Sequence, residues 1–266
     1  ERVQGGELVR IEAELVEQTA SQPEAIPLDI VHQDTDLLVI NKPAGLVVHP
    51  AVGNPAGTLM NALLHHDAAL AGLPRAGIVH RLDKNTSGLM VVARTLTAHK
   101  RLVEALQART VKREYLTVVN TVLTAGGSIE APIGRHPVDR KRMAVVSGGK
   151  EAITHYRVLE RYRAHTLVQV RLETGRTHQI RVHMAYQHCP VVGDPVYGGR
   201  LRQPRGASVA LRETLANFRR QALHAARLEL VHPGSGDLVG WEAGVPDDMA
   251  QLIAVLSEDA REPHEL

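Results

Sequence analysis

Gly77-Ile78-Val79-His80-Arg81-Leu82-Asp83-Lys84-Asn85-Thr86-Ser87-Gly88-Leu89-Met90-Val91-Val92 is the stretch on which both fold and chemistry turn. An apolar lead-in, a run dense in polar side chains and a fresh apolar run read as a loop feeding a buried strand, here residues 89–95. Strands on either side hold such a loop still, so it can present a carboxylate to a ligand. Asp83 lies between Arg81 and Lys84, a setting that suits a carboxylate. The residues alone leave two readings open: a ligand-facing aspartate, or a salt-bridged structural aspartate in a turn.

Working outward, residues 28–32 and 37–41 read as strands around the acidic turn Asp34 to Asp36, and residues 58–66 as a helix. Residues 97–108 form an amphipathic helix with Thr97 as N-cap and Leu102, Val103 and Leu106 on one face. Residues 113–119 are a strand. Residues 152–161 and 166–173 alternate polar and apolar side chains, as half-buried antiparallel strands do. A helix over 177–187, a strand over 226–231 and a helix from about residue 247 complete the pattern. Strands outnumber crossover helices, so the expected class is α+β with a mixed or antiparallel sheet. Residues 21–27, with Pro23 and Pro27, read as a linker.

The 266 residues suffice for one large domain or two small ones, and 44% hydrophobic content supplies a core. No apolar run is long enough to span a bilayer, no secretory pattern opens the sequence, and a single cysteine, Cys189, fits a reducing cytoplasm. Cys189 itself reads as a small buried apolar residue. The net charge of +2 conceals segregation. Acids dominate both ends, while Arg94 to Arg113, Arg135 to Lys150 and Arg200 to Arg220 are basic. This suggests a polyanion held on one face, or a surface whose acids compensate in space.

The common catalytic sets are absent: no Walker A loop, GxGxxG, HExxH or GxSxG. His65-His66, and His178 with His183, lack the spacing and the carboxylates of a metal site. A second dense segment is Glu173-Thr174-Gly175-Arg176-Thr177-His178-Gln179-Ile180-Arg181-Val182-His183. Gly175 makes a turn and Thr177 starts a helix. Arg176 at that turn is placed to meet a carboxylate or phosphate, unless the helix start caps itself.

Together these segments resemble the RluA-type pseudouridine synthases. His80-Arg81-Leu82-Asp83 with Thr86-Ser87-Gly88 is similar to the family signature, and Ile40-Asn41-Lys42-Pro43-Ala44-Gly45-Leu46-Val47-Val48-His49-Pro50 to its first motif. Lys112-Arg113-Glu114-Tyr115-Leu116, residues 173–181 and Gln221-Ala222-Leu223-His224-Ala225 resemble the remaining motifs in order. The resemblance spans about residues 27–249; Asn120-Thr121 departs from it where a glycine-containing turn is expected. It implies a pseudouridine synthase fold: a mixed, largely antiparallel bent sheet with flanking helices and a central active-site cleft. Residues 21–266 would be the catalytic domain, and residues 1–20 the remnant of an N-terminal S4 RNA-binding domain.

The implied activity is isomerisation of uridine to pseudouridine, without cofactor or metal. Further stretches, such as Gly193-Asp194-Pro195-Val196-Tyr197-Gly198-Gly199, resemble family members that act on 23S ribosomal RNA of the large subunit, at the loop of helix 69. The resemblance assigns Asp83 as the carboxylate beside C1′, acting as nucleophile, stabiliser or base. It assigns Arg176 as the basic partner of Asp83, Tyr115 as the ring stacked on the base, and Leu223 as its apolar counterpart. Arg81 fills the stack vacated by the flipped uridine, and His80, Thr86, Lys112 and Arg113 complete the substrate contacts. The expected state is a cytoplasmic monomer whose partner is the large-subunit precursor. A non-catalytic RNA-binding module and a glycosidic-bond hydrolase are the alternatives. The first would not need the aspartate, and the second wants another carboxylate or a metal.

Overall fold

In the computed structural model, residues 22–51, 53–200 and 203–261 are described. The expected S4 remnant at residues 1–20 lies outside them. Among the described residues, eleven strands and five α-helices follow one another as β1 (Ile30–Gln33), β2 (Leu37–Lys42), α1 (Leu59–His66), β3 (Ser87–Ala93), α2 (Leu96–Gln107), β4 (Lys112–Val119), β5 (Gly127–Glu130), β6 (Ile133–Arg135), β7 (Met143–Val145), β8 (Ile153–Arg161), β9 (Thr166–Leu172), α3 (Gln179–Tyr186), α4 (Val209–Asn217), β10 (Leu223–Val231), β11 (Leu238–Glu242) and α5 (Asp247–Arg261).

Nine strands form one sheet in the order β1-β2-β3-β10-β4-β9-β8-β5, with β11 on the free length of β10, while β6 and β7 make a separate hairpin. Every pairing is antiparallel except β3 with β10, a parallel junction confined to Ser87 with His224 and Gly88 with Ala225. The expected α+β class with a mixed, largely antiparallel sheet and flanking helices is what the chain forms.

Strands β2 and β3 are apolar throughout because both faces of the sheet are covered there. Leu38, Ile40, Met90 and Val92 point into the core that holds α1, whereas Leu37, Val39, Leu89 and Val91 point to α2 through Ala98 and Leu102. Strand β9 shows the alternation expected of one buried face, and its pairing with β4 and β8 is antiparallel over its length. No helix of the described residues is long and apolar enough to cross a membrane.

Helix α2 starts earlier than its sequence suggests. Thr95, not Thr97, is the N-cap: its backbone is extended and its hydroxyl accepts from the Ala98 N–H. Thr58 caps α1 in a reciprocal box with Asn61, whose side-chain oxygen accepts from the Thr58 N–H at 3.0 Å.

Candidate active site

The segment that opened the sequence reading runs along the floor of a cleft of about 980 Å³, at the upper end of the sizes that ligand sites occupy. Its walls come from the central strands β4 and β10, the 80–86 loop, the first turn of α3 and the inner face of α2. Several anchors hold the loop. The Thr86 N–H bonds the Asp83 carbonyl at 3.0 Å, and the Thr86 hydroxyl accepts from Gln221 Nε2 at 3.0 Å. Ser87 Oγ donates to His224 Nδ1 at 2.9 Å, since His224 Nε2 must carry the proton that it gives to the Ala243 carbonyl. Gly88, at φ +116°, lets β3 meet β10: a Cβ there would lie 2.3 Å from the Ala225 carbonyl oxygen.

Below the loop lies a residue that the sequence reading did not single out. Lys42 is 1% exposed, and its Nζ donates to the carbonyls of Pro43 at 2.8 Å, Leu46 at 2.9 Å and Lys84 at 3.1 Å. Burial pushes its pKa down to about 7, with Asp83 opposing and Arg220 assisting. Its signal lay in the Asn41-Lys42-Pro43-Ala44-Gly45 run, where a strand ends on a lysine.

Asp83 is largely buried, with Oδ2 2.9 Å from Arg181 Nη1 and Oδ1 3.9 Å from His178 Nε2. Arg181 is itself held from behind. Its Nε and Nη2 make a fork on Asp194 at 2.7 and 2.9 Å, and Asp194 also accepts the N–H groups of Val196 and Tyr197. Burial works against the charge on Arg181, but the bonds and attraction of Asp194 and Asp83 outweigh it and raise its pKa above the usual value. Burial opposes ionisation of Asp194 too. The Arg181 guanidinium and the two N–H groups prevail, and its pKa falls below the usual carboxylate range. The result is a rigid chain, Asp194–Arg181–Asp83, with the outer carboxylate facing the cleft.

Tyr115 on β4 and Leu223 on β10 are diagonal neighbours on paired strands (Ala225 faces Tyr115, Leu223 faces Thr117), and both are buried and line the cleft. Burial raises the Tyr115 pKa, Arg113 opposes and Asp83 adds to the rise, so the phenol stays neutral. His80 bonds the Val91 N–H through Nε2 at 3.1 Å, and burial and then Arg113 push its pKa down to about 3. Arg81 is exposed at the cleft mouth. Arg113 lies flat over Gly175, where a Cβ would meet its Nη1 at 2.9 Å. Arg75, Arg109 and Arg176 extend the basic wall, against which Glu173 is the other acid.

Residues 36–186 match the family described as RNA pseudouridylate synthase. The chain belongs to that family. The ribosomal large subunit pseudouridine synthase D of Escherichia coli O6:H1 is 58% identical over 262 residues, 98% of this chain and 80% of that protein. The protein of that name in Xanthomonas campestris pv. campestris is 56% identical over 264 residues, covering 99% of this chain and 80% of its own length. Among solved structures, human RNA pseudouridylate synthase domain containing 4 superposes with a TM-score of 0.67 at 27% identity, over 86% of this chain and 93% of that one. The RluA-type resemblance seen in the motifs is thus the family to which the chain belongs, and the enzyme is an RNA pseudouridine synthase, an isomerase.

The structure brings together Asp83, Tyr115, Leu223, Arg81, His80, Thr86 and Arg113 around one cleft. It corrects one expectation. The basic partner of Asp83 is Arg181 and not Arg176, whose Nε donates to the Glu151 carbonyl at 2.9 Å. Arg176 sits in the turn before α3, whereas Arg181 lies within the first turn of the helix, where its side chain reaches down to the loop. Lys112 is not a cleft residue. Strand alternation sends Arg113 and Tyr115 inward and Lys112 outward, where it pairs with Glu229.

Some basic residues are compensated by acids: Arg94 by Asp67 and Arg220 by Asp248 away from the cleft, and Arg109 on its wall by Glu151. Asp34, Asp36 and His232 cluster on another face, but His232 Nδ1 accepts the Gly234 and Ser235 N–H groups, which leaves the proton on Nε2, donated to Asp34. That nitrogen has no free lone pair to give a metal. Cys189 is buried against Met184, and burial raises its thiol to about 11, as befits a packing residue.

Proposed function

We propose that this enzyme isomerises uridines of 23S ribosomal RNA in the large-subunit precursor, at the loop of helix 69, with Asp83 as its essential catalytic group. The observation that carries this reading is the Asp83 carboxylate held 2.9 Å from Arg181 in a cleft that Tyr115 and Leu223 also line. The relatives named for the large ribosomal subunit support the substrate class.

In the reaction the N1–C1′ bond breaks, the base turns, and C5 joins C1′. The C5 proton leaves and N1 regains one, so nothing is oxidised or consumed. Positive charge grows at C1′, and an ionised aspartate beside it attacks or stabilises that centre. Tyr115 and Leu223 would pack against the detached base and keep it from diffusing away. A uridine must leave its stack to reach the floor, which costs a few kcal/mol. Arg81 at the cleft mouth has the planar group to fill the gap. We place the enzyme in the cytoplasm, acting as a monomer.

Among the described residues, the carboxylates that a hydrolase would add to Asp83 are already engaged. Asp194 spends its oxygens on Arg181, Val196 and Tyr197, and Glu173 is engaged by His155 at 2.6 Å. The test is pseudouridine mapping on large-subunit RNA from cells lacking the gene, complemented with wild type or Asp83→Asn. Restoration at helix 69 by wild type alone is expected. Restoration at another site would overturn the substrate, and equal restoration by Asp83→Asn would overturn the catalytic group.

A further inference from the structure

Asp83 has two oxygens, and Arg181 accounts for one. The other, Oδ1, faces the Nε2 of His178 at 3.9 Å, so what His178 carries on that nitrogen matters. A ring nitrogen without a proton would repel the carboxylate; an N–H would attract it.

The proton can be located from its neighbours. The backbone N–H of Met143, on the β6–β7 hairpin, donates to Tyr197 Oη at 2.9 Å. An amide only donates, so Oη accepts there. The phenol's own hydrogen then goes to its other partner among the described residues, His178 Nδ1, at 2.8 Å. Nδ1 is therefore the acceptor and Nε2 carries the proton, aimed at Asp83. Tyr197 also lies under the Arg181 guanidinium, whose central carbon is 5.0 Å from the ring centroid. One buried tyrosine thus touches both groups that face the aspartate.

We propose that Tyr197 is a positioning residue for the isomerisation: its hydroxyl fixes His178 as the Nε2–H tautomer and its ring seats Arg181, so that one oxygen of Asp83 accepts from Arg181 and the other faces an attracting N–H at 3.9 Å. This inference rests on Asp83 being the catalytic carboxylate. The backbone supports it, because His178 is held at φ +57°, a left-handed conformation that a non-glycine residue adopts at a cost. His178 stands immediately before α3 and lines the cleft. The charges around it agree. Burial lowers the His178 pKa, Arg181 and Arg81 lower it further, and Asp83 and Asp194 oppose, which leaves a neutral ring.

The test combines single-turnover rates on a large-subunit RNA fragment with the imidazole nitrogen shifts of His178 measured by NMR on the whole chain. Wild type is expected to show the Nε2–H tautomer; the Nδ1–H tautomer would overturn the proposal. Tyr197→Phe keeps the ring and removes the hydroxyl. It should mix the tautomers and slow turnover by roughly tenfold, with RNA affinity changed less than about twofold. Unchanged rate and tautomer would sink the idea. His178→Gln offers a donor that needs no tautomer, so adding Tyr197→Phe to it should cost little. An equal loss in that background means that the hydroxyl acts elsewhere. If Tyr197→Phe does not fold, the comparison of His178→Ala with His178→Gln decides: a slow alanine variant rescued by glutamine is required. Asp83→Asn, run in parallel, separates the two readings. Full activity there removes the aspartate's role, while the tautomer of His178 still reports on Tyr197 alone.

Discussion

Removing the Arg181 guanidinium leaves Asp83 and Asp194 facing each other without their shared cation. Breaking one partner of a buried ion pair costs about 3–5 kcal/mol, so Arg181→Ala should lower the urea midpoint sharply as well as abolish turnover. Arg181→Lys keeps a charge but cannot make the fork on Asp194, and should recover only part of either. Arg176→Ala should behave differently: normal stability, with weaker RNA binding and a salt slope shallower by about one unit. The sequence displayed both arginines in one motif. It could not say which one the helix would aim downward, because that depends on where the turn ends and α3 begins. Histidines set the acid limit. His80 and His165 have folded pKa values of about 3 and about 4, below their ordinary 6.5, so the unfolded chain binds their protons first. Their stabilisation is complete above pH 6.5 and is lost as pH falls through that window. Each steepens the fall by at most about 1.4 kcal/mol per pH unit. Urea titrations between pH 7.5 and 4 should show this slope, and His80→Asn should flatten it.

At the scale of elements, pairing geometry decides which side chains reach the cleft. Strand β4 puts Arg113 and Tyr115 on one face and Lys112 on the other, so Lys112→Ala should leave turnover and RNA affinity unchanged in the assay that registers Arg113→Ala. At Gly88 the constraint is on the backbone. Gly88→Ala must relieve a 2.3 Å contact with Ala225 at a positive φ, and should cost roughly 1–3 kcal/mol or more in thermal unfolding, with activity falling beyond the loss of folded protein. Long strands with a clear period, such as β9, were readable from the residues. The 3-residue strands β6 and β7 and the 4-residue β5 were not, because so short a run has no period to detect. The hairpin of β6 and β7 nevertheless delivers the Met143 amide to Tyr197. Short elements can escape sequence reading and still bear on the site.

Across the whole molecule, the basic middle of the sequence resolves into two populations. Some cations are matched by acids brought close in folding, and others, including Arg75, Arg81, Arg113 and Arg176, converge on the cleft. Composition could not separate them, since the pairing of Arg220 with Asp248 or Arg94 with Asp67 exists only in three dimensions. If about five phosphates are met, RNA affinity should drop roughly 100-fold between ~50 and ~200 mM salt, a filter-binding measurement. The loop that holds Asp83 depends on distant chain: Ser87 bonds His224 across 137 positions, and Thr86 bonds Gln221 across 135. During synthesis, at about 5–20 residues per second, Asp83 emerges many seconds before the strand that seats its loop. A nascent chain on the ribosome therefore carries its basic surface early and its chemistry late. A product of translation that stops short of Gln221 and β10 lacks the Gln221 and His224 side chains that bond Thr86 and Ser87 in the loop after Asp83.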